Sequence, residues 1–104
     1  MMMTAGRQPG FLAHAQGDSV AVAMRDLSPG QMEGGYLRGP ESVTAHLTES
    51  VPLGHKFALR DIPSGAEVIE YGVPVAVATA AIAVGQHVHV HNLRSIRWHS
   101  STAR

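Results

Sequence analysis

Ala23-Met24-Arg25-Asp26-Leu27-Ser28-Pro29-Gly30 returns as Ala58-Leu59-Arg60-Asp61-Ile62-Pro63-Ser64-Gly65, and a looser third copy runs Ala78-Thr79-Ala80-Ala81-Ile82-Ala83-Val84-Gly85. Each copy ends an apolar run, directs one long or branched apolar side chain inward (Leu27, Ile62, Ile82) and turns at a glycine. An Asp ahead of such a turn can accept a hydrogen bond from the backbone that follows, and Gly tolerates positive φ. The repeat is therefore structural punctuation, and Arg25, Asp26, Arg60 and Asp61 are read as part of it.

The segments that this punctuation separates are short and apolar. Ser19 to Met24, Val43 to Leu47, Lys56 to Leu59, Glu67 to Tyr71, Val73 to Ala78 and His87 to Asn92 read as strands, with Gly or Pro recurring about every 8–12 residues. Nowhere do apolar residues recur at helical spacing over three turns. The expected fold class is all-β, a compact single domain of short strands and long loops spanning residues 11–94. Residues 1–10 read as a flexible lead-in and 95–104 as a polar tail. Gly34-Gly35 and Gly39-Pro40 bracket what looks like a loop or hairpin tip.

Composition narrows the function classes. At 104 residues the chain is one domain's worth of sequence. A domain of this size buries only about 60–68% of its unfolded surface, which leaves little room for a private, deep substrate cavity. Eight Lys plus Arg balance eight Asp plus Glu, so the basic excess of a phosphate-tracking nucleic-acid binder is missing. With no Cys, the chain supplies no disulfide, no thiolate zinc or iron–sulfur ligand and no thiol nucleophile. The longest apolar run, Val73 to Val84, is too short for a membrane span and contains Pro74. The first residues have neither a basic region nor an apolar stretch, so no signal peptide is expected and a cytoplasmic location is the default. Only 5% of residues are aromatic, so the core must be built mainly from Val, Ala, Leu and Ile.

Seven His is a high count for so short a chain, and three of them stand in His87-Val88-His89-Val90-His91-Asn92. On a strand the three imidazoles would share one face, about 6.6–6.8 Å apart, and Val88 and Val90 the other. Two imidazoles so placed can converge on one divalent ion, which makes His87 and His89 candidate metal ligands. The same placement serves general acid–base work or a hydrogen bond to a substrate hydroxyl, and it is equally what a solvated polar face looks like. Gly54-His55-Lys56 is the second candidate: an imidazole and an ammonium beside a close-approach glycine could meet an anionic ligand, although Lys56 could also snorkel from a strand edge. His14 and Asp18 lie near a strand start, where Asp is usually a turn former. His46 and His99 read as surface residues, and Trp98 as a cap or contact residue. No nucleophile elbow, phosphate loop or dinucleotide fingerprint is present.

Taken in order, Asp18-Ser19-Val20-Ala21-Val22-Ala23, Gly54-His55-Lys56-Phe57-Ala58-Leu59-Arg60-Asp61-Ile62, Val68-Ile69-Glu70-Tyr71-Gly72 and Gly85-Gln86-His87-Val88-His89-Val90-His91-Asn92 resemble the SAF domain at the N-terminus of altronate and galactarate dehydratases, the family often labelled UxaA-type hydrolases. The resemblance covers about residues 11–94 and implies a β-clip fold. It also implies a lyase that eliminates water from a sugar acid or related hydroxy carboxylic acid. The cofactor implied is a divalent metal, typically iron, bound mainly by a much larger catalytic region. Where that region is a separate chain, this one would be the small subunit of a two-chain enzyme, inactive without its large subunit. The sulfolactate sulfo-lyase alpha subunit is similar in build, so sulfite is an alternative leaving group, and a non-catalytic ligand-binding SAF module is a further reading. On this resemblance His87, His89 and His55 are the expected catalytic residues, and Lys56, His91, Asn92 and Asp18 the expected substrate contacts. The sequence departs from the family pattern at Ser19 (usually Asn), Val75-Ala76 (usually Ile-Gly) and Ala81 (an Asp in the repeat), and Met32 to Glu41 has no clear counterpart.

Overall fold

The computed structural model describes residues 9–38 and 42–96, so the expectations for residues 1–8, Gly39-Pro40, Trp98, His99 and the end of the tail lie outside the described residues. Those residues form nine strands: β1 Phe11–Ala15, β2 Val20–Ala23, β3 Gly30–Arg38, β4 Val43–Leu47, β5 Lys56–Ala58, β6 Glu67–Glu70, β7 Val73–Ala78, β8 His87–Val88 and β9 Leu93–Ser95. No helix occurs among the described residues. A six-stranded sheet runs β4-β3-β1-β2-β5-β8 and a three-stranded one runs β6-β7-β9. All pairs are antiparallel except β1 with β3. The all-β domain expected from the sequence is the fold observed.

The repeat proves to be the joint of this fold, and it has a fourth copy in Val51-Pro52-Leu53-Gly54. Leu27 bridges Val51 and Ile62 bridges Ile82, each pair exchanging backbone hydrogen bonds in both directions at 2.7–2.9 Å. All four apolar residues are buried. The glycine closing each copy has positive φ (Gly30 125°, Gly54 83°, Gly65 86°, Gly85 87°). The two Asp residues act across the joint and not on their own turns: Asp26 Oδ1 accepts from Leu53 N–H at 2.8 Å, and Asp61 Oδ1 from Val84 N–H at 2.9 Å. Each thus fixes the copy facing it.

Two apolar clusters result. One gathers Phe11, Ala13, Ala21, Ala23, Leu27, Leu47, Val51 and Phe57; the other gathers Val20, Ala58, Ile62, Val68, Ala76, Ala78, Ile82 and Val88. Alternation along a strand explains why β2 and β5 serve both: Val20 and Ala58 point into one cluster, Ala21 and Phe57 into the other. Phe11 and Phe57 meet edge to face at 5.0 Å, the large filler of a core otherwise built from small and branched side chains.

Several expectations are corrected. Gly34-Gly35 lies inside β3 and not in a loop, because Phe11 packs over Gly34 where a Cβ would strike its ring. Gly10 is not a loose end: its N–H donates to Glu33 and its carbonyl accepts from Met24, both at 2.8 Å. The segment after Leu93 continues as β9 against β7 through Ser95. The strand expected over His87 to Asn92 stops at Val88, and residues 89–92 form a turn closed by Asn92 N–H on the His89 carbonyl at 3.0 Å. None of the described helical segments could cross a membrane, since none exists.

Candidate functional site

Antiparallel pairing of β5 with β8 brings together histidines far apart in sequence. Lys56 faces Val88 and Phe57 faces His87; continuing that register by one residue sets His55 opposite His89. His55 precedes β5, directly after the Val51–Gly54 copy of the repeat, where its N–H donates to the Pro52 carbonyl and its own carbonyl accepts from the Ala23 N–H. Its Nδ1 lies 2.9 Å from His87 Nε2, so one of these nitrogens donates and the other accepts. The His89 ring stacks on His55 at 4.1 Å with a 20° interplanar angle. His91 lies against His87, centroids 5.4 Å apart and rings tilted by 43°. A strand through residue 91 would have lined up three imidazoles. The turn instead leaves His91 beside His87, and the partner that joins His87 and His89 is His55.

Asn92, buried at 4% exposure, builds this turn. Its Oδ1 accepts from His89 N–H and its Nδ2 donates to the His87 carbonyl, both at 2.9 Å. Asp18 is likewise buried and committed to the fold, accepting from the Tyr71 and Gly72 N–H groups at 2.9 and 3.1 Å. It thereby holds the β6–β7 turn, where Tyr71 has a φ of 59°. His14 packs its ring on Tyr71 at 4.7 Å. The amide of Asn92 and the carboxylate of Asp18 therefore already have backbone partners.

Two acids that the sequence reading did not single out border the cluster. Glu70 Oε1 lies 3.9 Å from Lys56 Nζ, and Glu49 Oε2 accepts from the His87 N–H at 3.3 Å. Glu70 stood inside one of the four motifs of the resemblance, but only the return of β6 beside β2 brings it near Lys56. Burial raises the Glu70 carboxyl above its ordinary range, with Lys56 opposing and Asp18 reinforcing the rise. His87 is lowered, first by burial and then by repulsion from His55, His91 and His89, with Glu49 opposing. His89 is lowered by loss of solvation, then by His55, His91 and Lys56. Both imidazoles are thus biased toward the neutral form, which can accept a proton or ligate a metal. Ligand nitrogens of His55, His87 and His89 all lie within 4.8 Å of one another.

Of the three converging histidines, His89 is exposed and His55 and His87 are half-buried. A hollow of about 310 Å³ is lined by Asp26, Leu27, Ser28, Ser50, Val51 and Pro52 at the first joint, and it includes none of the histidines.

Comparisons with known proteins agree with this architecture. The chain is 47% identical over 78 residues to altronate dehydratase of Escherichia coli (strain K12), covering 75% of this chain but 15% of that protein. It is 32% identical over 98 residues to altronate dehydratase of Bacillus subtilis (strain 168), covering 90% of this chain and 19% of the relative. The (2R)-sulfolactate sulfo-lyase subunit alpha of Chromohalobacter salexigens is 33% identical over 90 residues, 85% of this chain and 96% of that subunit. The chain therefore spans under a fifth of the length of these dehydratases and nearly all of the sulfo-lyase subunit. The profile of the altronate/galactarate dehydratase SAF domain matches residues 9–96, and the chain belongs to that family.

Proposed function

We propose that this chain is the small subunit of a two-chain, metal-dependent lyase that eliminates water from a sugar acid or related hydroxy carboxylic acid. The observation that carries the reading is the partly exposed imidazole cluster of His55, His87 and His89 on the small sheet-built domain. Its chemistry suits a site completed by another chain. The correspondence with nearly the whole of a protein named as one subunit of a lyase supports the two-chain arrangement.

Elimination next to a carboxylate requires removal of a weakly acidic proton and departure of a poor leaving group. The neutral imidazoles of the cluster offer this face either proton acceptors or metal ligands, and the 2.9 Å contact couples His55 to His87. Lys56 supplies positive charge for a substrate carboxylate, with Glu70 steadying its ammonium, and His91 offers a further hydrogen bond at the outer edge. Asn92 and Asp18 act on the substrate indirectly, by fixing the turns beside it.

The donor set also fits the divalent ion that the family implies, since three imidazole nitrogens approach one another closely enough to turn toward a common point. Such an ion, when bound, stabilises the enediolate-like charge of the elimination. Histidines that hold it do so through nitrogens that are then closed to protons, so proton transfer falls to other groups of the assembled site.

The test is to isolate the native chain gently from its source cells and identify what accompanies it by mass spectrometry. The complex is then assayed on hydroxylated carboxylic acids and on sulfolactate. A co-purifying lyase-type large chain, with activity that appears only in the complex and falls at least about 100-fold in His87→Ala, is the expected result. Recovery of the chain alone and intact would overturn the two-chain reading. Release of sulfite with no dehydration would replace water as the leaving group.

A further inference from the structure

We infer that this chain by itself holds one transition-metal ion, ligated by His55 from the β5 turn and by His87 and His89 from β8 and the turn after it. The inference deepens the lyase reading by giving the metal a seat on the small chain, but it stands on geometry that does not require a second chain.

Four observations carry it. The nitrogens of the three residues lie within 4.8 Å of one another, and the closest pair, His55 Nδ1 and His87 Nε2, is at 2.9 Å. Ligands on a tetrahedral zinc ion at about 2.0–2.1 Å stand roughly 3.3 Å apart, so that pair needs only a small separation and His89 a modest approach. The pairing register accounts for the convergence, because carrying it one residue beyond β8 sets His55 opposite His89, while His87 lies two residues earlier on β8. The backbones that carry the rings are tied down before any ion arrives. Asn92 holds His87 and His89 from both ends of its amide, and Pro52 and Ala23 hold His55. Side chains whose backbones are already ordered lose less freedom on ligation.

The donor set also selects the ion. Three imidazoles and no carboxylate favour zinc, cobalt, nickel, copper or iron over magnesium and calcium, which require oxygen ligands. Three protein ligands leave a tetrahedral ion one open position, the arrangement of a site that engages a further molecule and not of one that merely braces a fold. Glu49 accepts from the backbone N–H of His87 and is not needed as a ligand. His91 packs against His87 and is not one of the three converging residues.

The experiment uses the full-length chain without an affinity tag, stripped with chelator and titrated with Zn(II) by calorimetry and with Co(II) by visible absorption. The expected result is one ion per chain, with intense Co(II) bands of a four- or five-coordinate site, and no heat from Mg(II) at the same concentration. His55→Ala and His87→Ala should each weaken Zn(II) binding at least about tenfold, while His46→Ala, an exposed histidine on β4, should leave it unchanged. Circular dichroism of each variant separates loss of ligand from loss of fold, and the wild-type Co(II) spectrum decides the matter even if a variant misfolds. Absence of saturable binding by the wild-type chain overturns the inference, as does His55→Ala binding as tightly as wild type. Either failure leaves the lyase reading standing, since that is judged on the co-purifying chain and the activity of the complex.

Discussion

Asn92, His55 and Glu70 show which side-chain roles local sequence reveals. Asn92 ends a run of alternating histidines and reads as an expected substrate contact. Its amide instead lies buried and ties the His87 and His89 backbones together. Asn92→Ala should therefore cost about 1–3 kcal/mol of stability, read as a lowered urea midpoint. Asn92→Asp keeps the acceptor for the His89 N–H but turns a carboxylate oxygen toward the His87 carbonyl in a buried position, and should destabilise at least as much. The link of His55 to His87 was not legible at all, since it spans 32 positions and exists only through strand pairing. Glu70 makes a prediction about pH. Its folded-state carboxyl binds its proton more tightly than the unfolded one, because burial outweighs Lys56. The protonated form therefore favours folding below the ordinary glutamate range, and that contribution is lost as pH rises through the ordinary value toward the raised one. Urea midpoints measured across this interval should fall less steeply with rising pH in Glu70→Gln than in wild type.

Among the strands, those whose side chains alternate against a core were readable: β4 and β7 run over the spans that their composition announces. β3 was not, because its middle is Gly34-Gly35, a pair that ordinarily marks a turn. What overrides the local signal is the Phe11 side chain, which fills the volume a Cβ at position 34 would need. Gly34→Ala should destabilise the chain by about 1–3 kcal/mol through overpacking, visible as a lower thermal midpoint with strand content retained. The joints behave differently. Their glycines and apolar residues were legible as a repeat, yet the partners of Asp26 and Asp61 were not, since each bonds a backbone N–H more than twenty positions away. Gly85 combines both demands: φ is 87°, and a Cβ would overlap the His46 carbonyl oxygen. Gly85→Ala should accordingly be more damaging than Gly54→Ala, which meets open space and only the cost of positive φ. Denaturation of the two variants side by side gives the comparison.

For the chain taken entire, the family resemblance carried more functional information than composition or spacing. Charge balance, missing cysteines and modest length excluded whole classes of activity, but they described a great many small β domains equally well. The imidazole cluster came into view only when the fold supplied its third member, His55. One architectural feature has a further outcome in solution. The β2–β5 pair is covered on both faces, with Val20 and Ala58 in one apolar cluster and Ala21 and Phe57 in the other. Neither cluster can open without exposing strands that the other also needs. The amide protons of this ladder should be the last to exchange with deuterated water, at rates set by complete unfolding, while those of the exposed β4 edge exchange through local openings. The calorimetric trace should accordingly contain a single cooperative peak, and two resolved transitions would show that the halves melt apart.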